Sequence, residues 1–568
     1  MLLPPQFCGS RWSRTGFAIA LLVGLAFGLK ESAAELQIAE LVAINATGLE
    51  DEDGDAEDWV ELVNTASDSI DSAGYTLDDG GTRWILPSFT LPPGGRLVIF
   101  GSGKNRTPDS GAWHASFSLA GGGEELSLRS PAGELVDRVE FPRQRVDVAY
   151  GRNREGQWVY FRIPSPGNEN PDSGLRGIAA PPAFASGRGY YEEPFHLELQ
   201  VPEGGEIRYT LDGTEPTIYS GIAYREPIQI AATTVVRALA IEPGKLESDP
   251  VAHSFLFAED VLAQQAMSRQ VVEDPAYRDS LVDDLRSLPA LSLSIDEARF
   301  FGPEGIYVNF NDRGRETEVP IGIEFFDPRG DAGEFDTRAG IRIHGGQARF
   351  HEKKPLRLYF RSEYGDTALD FPLFEGSPVD SFKRMVLRPG GHDGFAVEWN
   401  ATDGNGFPLF DENGNPVMRG RNDLTQSASY TRDEFLRRSE TEMGLLSPRG
   451  RFVNLYINGR FWGIYNMHER ADEDFFASHE GGDPEDWDVV GQNGGIEAGD
   501  GSAWDSLMER SESGVNSSED NDEIEEYLDL DRFIDALIVR IWSGDHDWLE
   551  PLFINRAGNN QEIRNFGA

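Results

Sequence analysis

Two β-sandwiches followed by a mixed α+β domain form the architecture that the sequence predicts, and three observations lead there. At 568 residues the chain exceeds what one hydrophobic core organises, so three or four domains are expected. From Leu36 to Pro171 short apolar-alternating runs are punctuated by Gly, Pro and Asp, the mark of consecutive short strands. Helical periodicity enters only after Ala258 and mixes with strands from Leu291 onward.

Composition narrows the function class. The 39% hydrophobic and 11% aromatic content is that of folded material. A formal net charge of −46 repels phosphate at long range and argues against a general nucleic-acid or anionic-membrane binder. It fits a secreted protein whose surface is screened by salt or calcium, or a lineage-wide acidic bias. Near the N-terminus Arg11 and Arg14 precede an apolar run, Phe17 to Leu29, and then small residues at Ser32 and Ala34. Residues 1–34 thus read as a secretory signal peptide, with an uncleaved anchor as the alternative. Cys8, the single cysteine, falls inside this segment. The mature chain would therefore have no disulfide, thiolate zinc site or cysteine nucleophile. No later stretch is apolar enough for a membrane span in the mature chain.

The first sandwich is expected over residues 35–171, with LQIAELVAI, DWVELVN, RWILPSF, GRLVIFG, EELSLRS and VDRVEF as strands. Within it, Asp51, Asp53 and Asp55 share the spacing of the first calcium ligands of an EF-hand. Leu62 stands where the closing glutamate is needed, and the flanks read as strands. A solvated acidic turn is the favoured reading and a Ca²⁺ site the alternative. GSGKN (Gly101 to Asn105) lacks the leading glycine and the trailing Ser or Thr of a phosphate loop. After a Gly/Pro/Ala linker, residues 178–258 alternate β-branched and polar residues around an LDGTEP turn, a second small sandwich. Residues 259–290 form a charged helical connector divided by Pro275.

The third domain, 291–568, holds the residues with chemistry. Thr337 to Gly365 reads as strand, glycine turn, strand, with Lys353 and Lys354 opening the second strand and Leu356, Leu358 and Phe360 alternating with arginines. Alternation lets only one of the two lysines face a cleft. FKRMVLRPGGHD is a further strand that ends at His392 and Asp393, and Thr431 to Gly444 is a helix stopped by glycine. Arg451 to His479 reads as a hairpin through Asn458-Gly459, followed by a helix begun near Glu469. In DLDRFIDALIVRIWSGDHDW, Phe533, Ile534, Leu537, Ile538 and Ile541 share one helical face, and the helix delivers Asp545 and Asp547 to its exit. Each residue also has a plain structural reading: a solvated lysine pair, a glutamate at a positive helix start, and acidic residues that solvate a loop.

Three resemblances follow from quoted segments. The order IAELVAIN, EDWVELVN, SAGYTLDD, LPPGGRLVIFGSG, FSLAGGGEELSLRSPAGELVDRV, AYGR and IPSPGNEN resembles a bacterial lamin-tail domain, an immunoglobulin-like sandwich. YTLDGTEPT, with REPI and VVRALA after it, resembles the C-terminal accessory domain of chitobiases and β-hexosaminidases. That likeness implies fold and not sugar hydrolysis, because no catalytic barrel of about 250 residues is present. GIRIHGGQARFHEKKPLRLYF, YINGRFWGIYNMHERAD and DHDW resemble the spore-coat CotH kinase family. The likeness implies an atypical protein-kinase-like α+β fold that uses ATP and Mg²⁺ or Mn²⁺ to phosphorylate Ser or Thr of extracellular or cell-surface proteins. It implies Lys354 as the phosphate lysine, with Lys353 and Arg342 beside it in nucleotide binding. Glu469 would be the lysine's partner, Asp547 the catalytic or metal-holding carboxylate, and Asp545, where the family has asparagine, a second metal ligand. Pro551 and Leu552 stand where the family has amides, and its later W-D-x-D segment is not met before Ala568. The resemblance therefore implies a C-terminally incomplete domain, and the sequence leaves enzyme activity undecided. The alternative is a non-catalytic extracellular or surface protein that makes protein or carbohydrate contacts through its sandwiches. A carbohydrate binder would present Tyr209, Tyr219 and Tyr224 on one exposed face.

Overall fold

The computed structural model describes residues 35–107, 112–391, 396–400, 409, 418–423, 428–491, 494–544, 552–555 and 563–566. Residues 1–34, His392, Asp393, Asp545 and Asp547 lie outside them.

Strand Leu36–Val42 runs antiparallel between Trp59–Asn64 and Ala149–Arg152, at the centre of a six-stranded sheet. A four-stranded sheet faces it, built from Thr76–Asp78, Arg83–Ile85, Glu124–Arg129 and Leu135–Phe141. Alternation along these strands places Leu36, Ile38, Leu62, Leu77, Leu126 and Leu128 in one core cluster, as a sandwich requires. The second unit has a five-stranded sheet centred on Thr234–Ile241, with Ile207, Val236, Ala238 and Phe255 in its core. Short helices Ala258–Ala263, Arg269–Val272 and Leu281–Leu285 lead out of it.

The third domain begins with a closed barrel. Its strands are Ala290–Ile295, Val319–Phe326, Glu334–Ile343, Leu356–Tyr359, Arg384–Arg388, Arg460–Glu469 and Gly450–Ile457, in neighbour order. Closure comes from the parallel pairing of Ala290–Leu293 with Asn454–Ile457. Inward residues such as Leu293, Ile323, Ile341, Leu358, Met385 and Met467 fill the lumen, so the barrel is a packed core and not a channel. Helices Arg432–Glu442, Glu473–Glu480, Ser502–Ser513, Ser518–Glu525 and Leu530–Ser543 lie outside it.

One expectation needs correction here. Glu469 is the last residue of a strand, not the start of a helix; Tyr465 and Met467 continue the inward alternation, and the helix starts at Glu473 with Asp472 capping Phe475 N. The apolar face of Leu530–Ser543 is divided: Phe533 packs against the cluster of Val490, Leu507 and Ile524, and the isoleucines stay open. Ile534, Ile538 and Ile541 are 45–61% exposed, while Ala536, Val539 and Arg540 are the buried positions.

Polar joints weld the three domains. Asp249 of the second sandwich binds Arg143 (3.0 Å) and Arg145 of the first and Arg338 (3.2 Å) of the barrel. The fully buried Glu324 of the barrel accepts from Ser254 N at 3.0 Å and Ser254 Oγ at 2.5 Å of the second sandwich.

Candidate functional site

The lysine pair sits at a mouth of the barrel, and its two members diverge. Lys354 is 3% exposed. Its Nζ donates to the carbonyls of Arg349 (2.8 Å) and His351 (3.0 Å) and lies 3.8 Å from the Phe310 ring centroid and 5.2 Å from that of Tyr307. Among the described residues no carboxylate reaches it within ion-pair distance, and burial pulls its pKa down to about 7. Arg349 fixes the same loop by donating to the carbonyls of Gly345 (2.5 Å), Ile343 (2.8 Å), Phe310 and Asp312 (3.2 Å). The structure thus places Lys354 inside a loop staple. Lys353 is exposed, with its ammonium over the backbone of Gly463. Gly463 has φ +117°, a backbone conformation that favours glycine, and a Cβ there would displace the movable end of Lys353.

Glu469 does not meet the lysine. Its carboxylate accepts from Arg449 N at 2.8 Å and lies 2.8 Å from His479 Nε2, tying the end of its strand to the helix Glu473–Glu480. Arg342 pairs with Glu318 at 2.8 Å and stacks on Tyr359, its guanidinium carbon 4.0 Å from the ring centroid.

The outer face of the same strands gathers charge that sequence reading passed over. Register aligns Arg342, Arg357, Val386 and His468 in one row across four neighbouring strands. Strand alternation turns these residues outward, because their neighbours Ile341, Leu356, Leu358, Met385, Leu387 and Met467 occupy the barrel core. Arg388 and Arg470 extend the face along the strands. Helix Arg432–Glu442 lies over one end of it, where Asp433 meets Arg388 (3.3 Å) and Arg437 (3.2 Å). Burial would raise the Asp433 carboxyl, but these guanidiniums outweigh it and hold it near 2. His344 accepts at Nδ1 from Arg357 Nη2 at 2.7 Å. Burial, and then the surrounding arginines, push both His344 and His468 well below the usual imidazole range, so both rings are neutral. His468 Nδ1 lies 2.6 Å from the Glu469 carbonyl, an acceptor, which makes Nδ1 the donor and leaves Nε2 as a lone-pair acceptor. The one available signal was the L-R-L-Y alternation after the lysine pair, which puts Arg357 opposite the core leucines.

Helix Leu530–Ser543 ends at Gly544 with φ +70°, an αL cap, immediately before Asp545 and Asp547. It is anchored to helix Arg432–Glu442 by Arg540, fully buried and 3.3 Å from Glu440, and by the Phe435 and Trp542 rings 6.0 Å apart. The two aspartates themselves lie outside the described residues.

The acidic turn of the first sandwich folds around a cation of its own. Carboxylate oxygens of Asp51, Asp53 and Asp55 lie within 4.8 Å of one another, a grouping able to hold a metal ion. Lys104 Nζ binds all three, at 3.1 Å for Asp53 and 2.8 Å for Asp55, with Glu57 at 3.4 Å. Burial would raise Asp51, but the Lys104 hydrogen bond and the N–H groups of Asp55 and Asp53 bring it down to about 2.

Family models match three segments of the chain. Residues 30–143 match the Lamin Tail Domain, 186–252 the chitobiase/β-hexosaminidase C-terminal domain, and 421–560 the CotH kinase protein. No curated protein matches the chain. The CotH match takes in the last two barrel strands, Glu469, Asp545 and Asp547, while Arg342, Lys353 and Lys354 precede it. The described residues contain no helix long and apolar enough to cross a membrane. The polypeptide therefore carries, in this order, segments that match the models of the Lamin Tail Domain, the chitobiase/β-hexosaminidase C-terminal domain and the CotH kinase protein.

Proposed function

We propose that the third domain is an exported CotH-type phosphate-transfer domain, acting with ATP and Mg²⁺ or Mn²⁺ on Ser or Thr of extracellular or cell-surface proteins. The match of residues 421–560 to the CotH kinase protein carries this reading. Phosphoryl transfer needs fixed positive charge beside the phosphates and carboxylates that hold metal and orient the hydroxyl. The cationic outer face supplies the first, and the nearby helix Leu530–Ser543 leads directly into Asp545 and Asp547, which supply the second. Those two carboxylates would hold the divalent ion, which would neutralise charge on the phosphates. The chain's own part is to position: Arg540 and the Phe435–Trp542 contact fix the exit of that helix against Arg432–Glu442.

A metal-dependent thermal shift with ATP, together with incorporation of labelled phosphate into a Ser/Thr-rich acceptor, tests the reading. Asp547→Ala is expected to lower incorporation by at least about 100-fold while leaving the melting temperature close to the parent's. Equal incorporation by parent and variant would remove the assignment.

A second reading, a non-catalytic surface or matrix protein, is favoured by one observation: Phe435, Ile534, Ile538, Ile541 and Trp542 stand 45–72% exposed on two adjacent helices, a large apolar surface for a folded domain. The carbohydrate version of that reading draws less support. Tyr209 and Tyr224 pack against the second sandwich's core, and Tyr219, 89% exposed, stands apart from them.

A further inference from the structure

The joint between the second sandwich and the barrel closes around one carboxylate. Glu324, in the barrel strand Val319–Phe326, is fully buried. Among the described residues, the hydrogen bonds it accepts come from across the joint, from Ser254 N (3.0 Å) and Ser254 Oγ (2.5 Å) in strand Val251–Phe257. The flanking barrel strands set Ser292 and Asp336 beside it in register. The sandwich brings Arg188 and His253 to the same place. Arg188 Nε stays 3.7 Å from the carboxylate, because its fork is engaged elsewhere. Nη1 donates to the Phe335 carbonyl (3.0 Å), and Nη2 to Asp336 (2.8 Å) and to His253 Nε2 (3.2 Å).

An ionised Glu324 therefore has hydrogen bonds but no close counter-ion, while a neutral one gives up no hydrogen bond. Ser254 Oγ lies 2.8 Å from Ser292 Oγ, and both serines are buried. With the carboxylate ionised, Ser292 donates to Ser254 and Ser254 to Glu324. With it protonated the relay reverses, Glu324 donating to Ser254 and Ser254 to Ser292. Burial thus penalises the charged form alone.

We propose that Glu324 is an acid-favoured latch: the second sandwich grips the barrel most tightly when this carboxyl carries a proton, and the joint slackens as it ionises. Burial sets the range, pushing the carboxyl up to about 7 against the opposing pull of Arg188 and the Ser254 donors, with Asp336 adding to the rise. A glutamate released from the joint titrates near 4.3, so the docked state binds more protons between those values. The latch's contribution is complete below about 4.3, falls as pH rises, and is lost above about 7. His253 takes no part in the upper half of that range, because burial, and then Arg188, push it down to about 4.

Residue-resolved amide hydrogen exchange of the full chain at about pH 5 and about pH 8.5 tests the proposal, each rate being divided by the intrinsic rate at that pH. The Ser254 N–H reports the joint. Strand Thr234–Ile241, at the centre of the same sandwich and free of acidic residues, is the reference. In the parent, protection of Ser254 relative to that strand is expected to fall about tenfold or more between the two pH values. Glu324→Gln, which has the shape of the neutral acid, should match the parent at pH 5 and keep its protection at pH 8.5. A parent whose ratio stays level or rises with pH would overturn the latch, and that reading needs no variant. A Glu324→Gln protein that loses protection as the parent does would overturn it as well, because another group would then be titrating.

Discussion

Lys104 and Lys354 are the same side chain in opposite surroundings. Lys104, on the first sandwich, gathers four carboxylates and is held above the ordinary lysine range by its hydrogen bonds to Asp51 and Asp55. Lys354, in the barrel mouth, meets carbonyls and aromatic rings among the described residues and is brought down to about 7 by burial. A chain with net charge −46 thus leaves a buried lysine with no carboxylate at ion-pair distance among its described residues. The comparison teaches that local enclosure, not overall charge, decides how a lysine is matched: a low-dielectric mouth tolerates an amine that donates hydrogen bonds, while a wet turn collects charge.

The largest effect should come from removing Lys354. Lys354→Met leaves the carbonyls of Arg349 and His351 without their donor and is expected to cost about 2 kcal/mol at pH 9.5, read as a fall in the denaturant midpoint. An unchanged midpoint would mean that the staple is idle. The second effect is its pH dependence. Lysine titrates near 10.4 when unfolded and near 7 here, so the folded state binds fewer protons between those values. Stability contributed by the lysine is complete above about 10.4, falls as pH drops toward 7, and reaches its minimum below it. The gap between parent and Lys354→Met should therefore shrink from pH 9.5 to pH 6, and a gap that widens would refute the direction. The smallest effect on stability belongs to Lys104→Met. It frees Asp51, Asp53 and Asp55 and is expected to create calcium binding at about millimolar affinity, seen as a Ca²⁺-dependent rise in melting temperature that the parent lacks. A parent that already binds Ca²⁺ would show that the ammonium yields its place.

Much of the fold was legible because strands declare themselves by alternation and spacing. The runs around Leu36, Trp59 and Leu126 mark the first sandwich, and the β-branched stretch at Ile207 to Ala240 marks the second. Barrel closure was not legible, because it depends on Ala290–Leu293 finding Asn454–Ile457, a pairing that leaves no local trace. Glu469 misled for a related reason: its neighbours fit a helix start as well as a strand end, and only the inward packing of Tyr465 and Met467 separates the two. The lysine pair drew attention by residue type, yet alternation, applied three residues later, singles out Arg357. Its partners, His344 and Tyr359, were beyond reach, since they depend on which groups the other strands bring near.

The parallel closure of the barrel also sets a timetable. Asn458 Nδ2 donates to the Ile295 carbonyl across 163 residues of chain. At roughly 5–20 residues per second of synthesis, the first barrel strand waits on the order of 10–30 s for its partner. Through that interval its edge stays open to pairing with other chains, and closure over so long a loop is intrinsically slow. A nascent chain this acidic repels its own copies while it waits, so the charge that does little for the finished domain keeps the unfinished one apart from its neighbours.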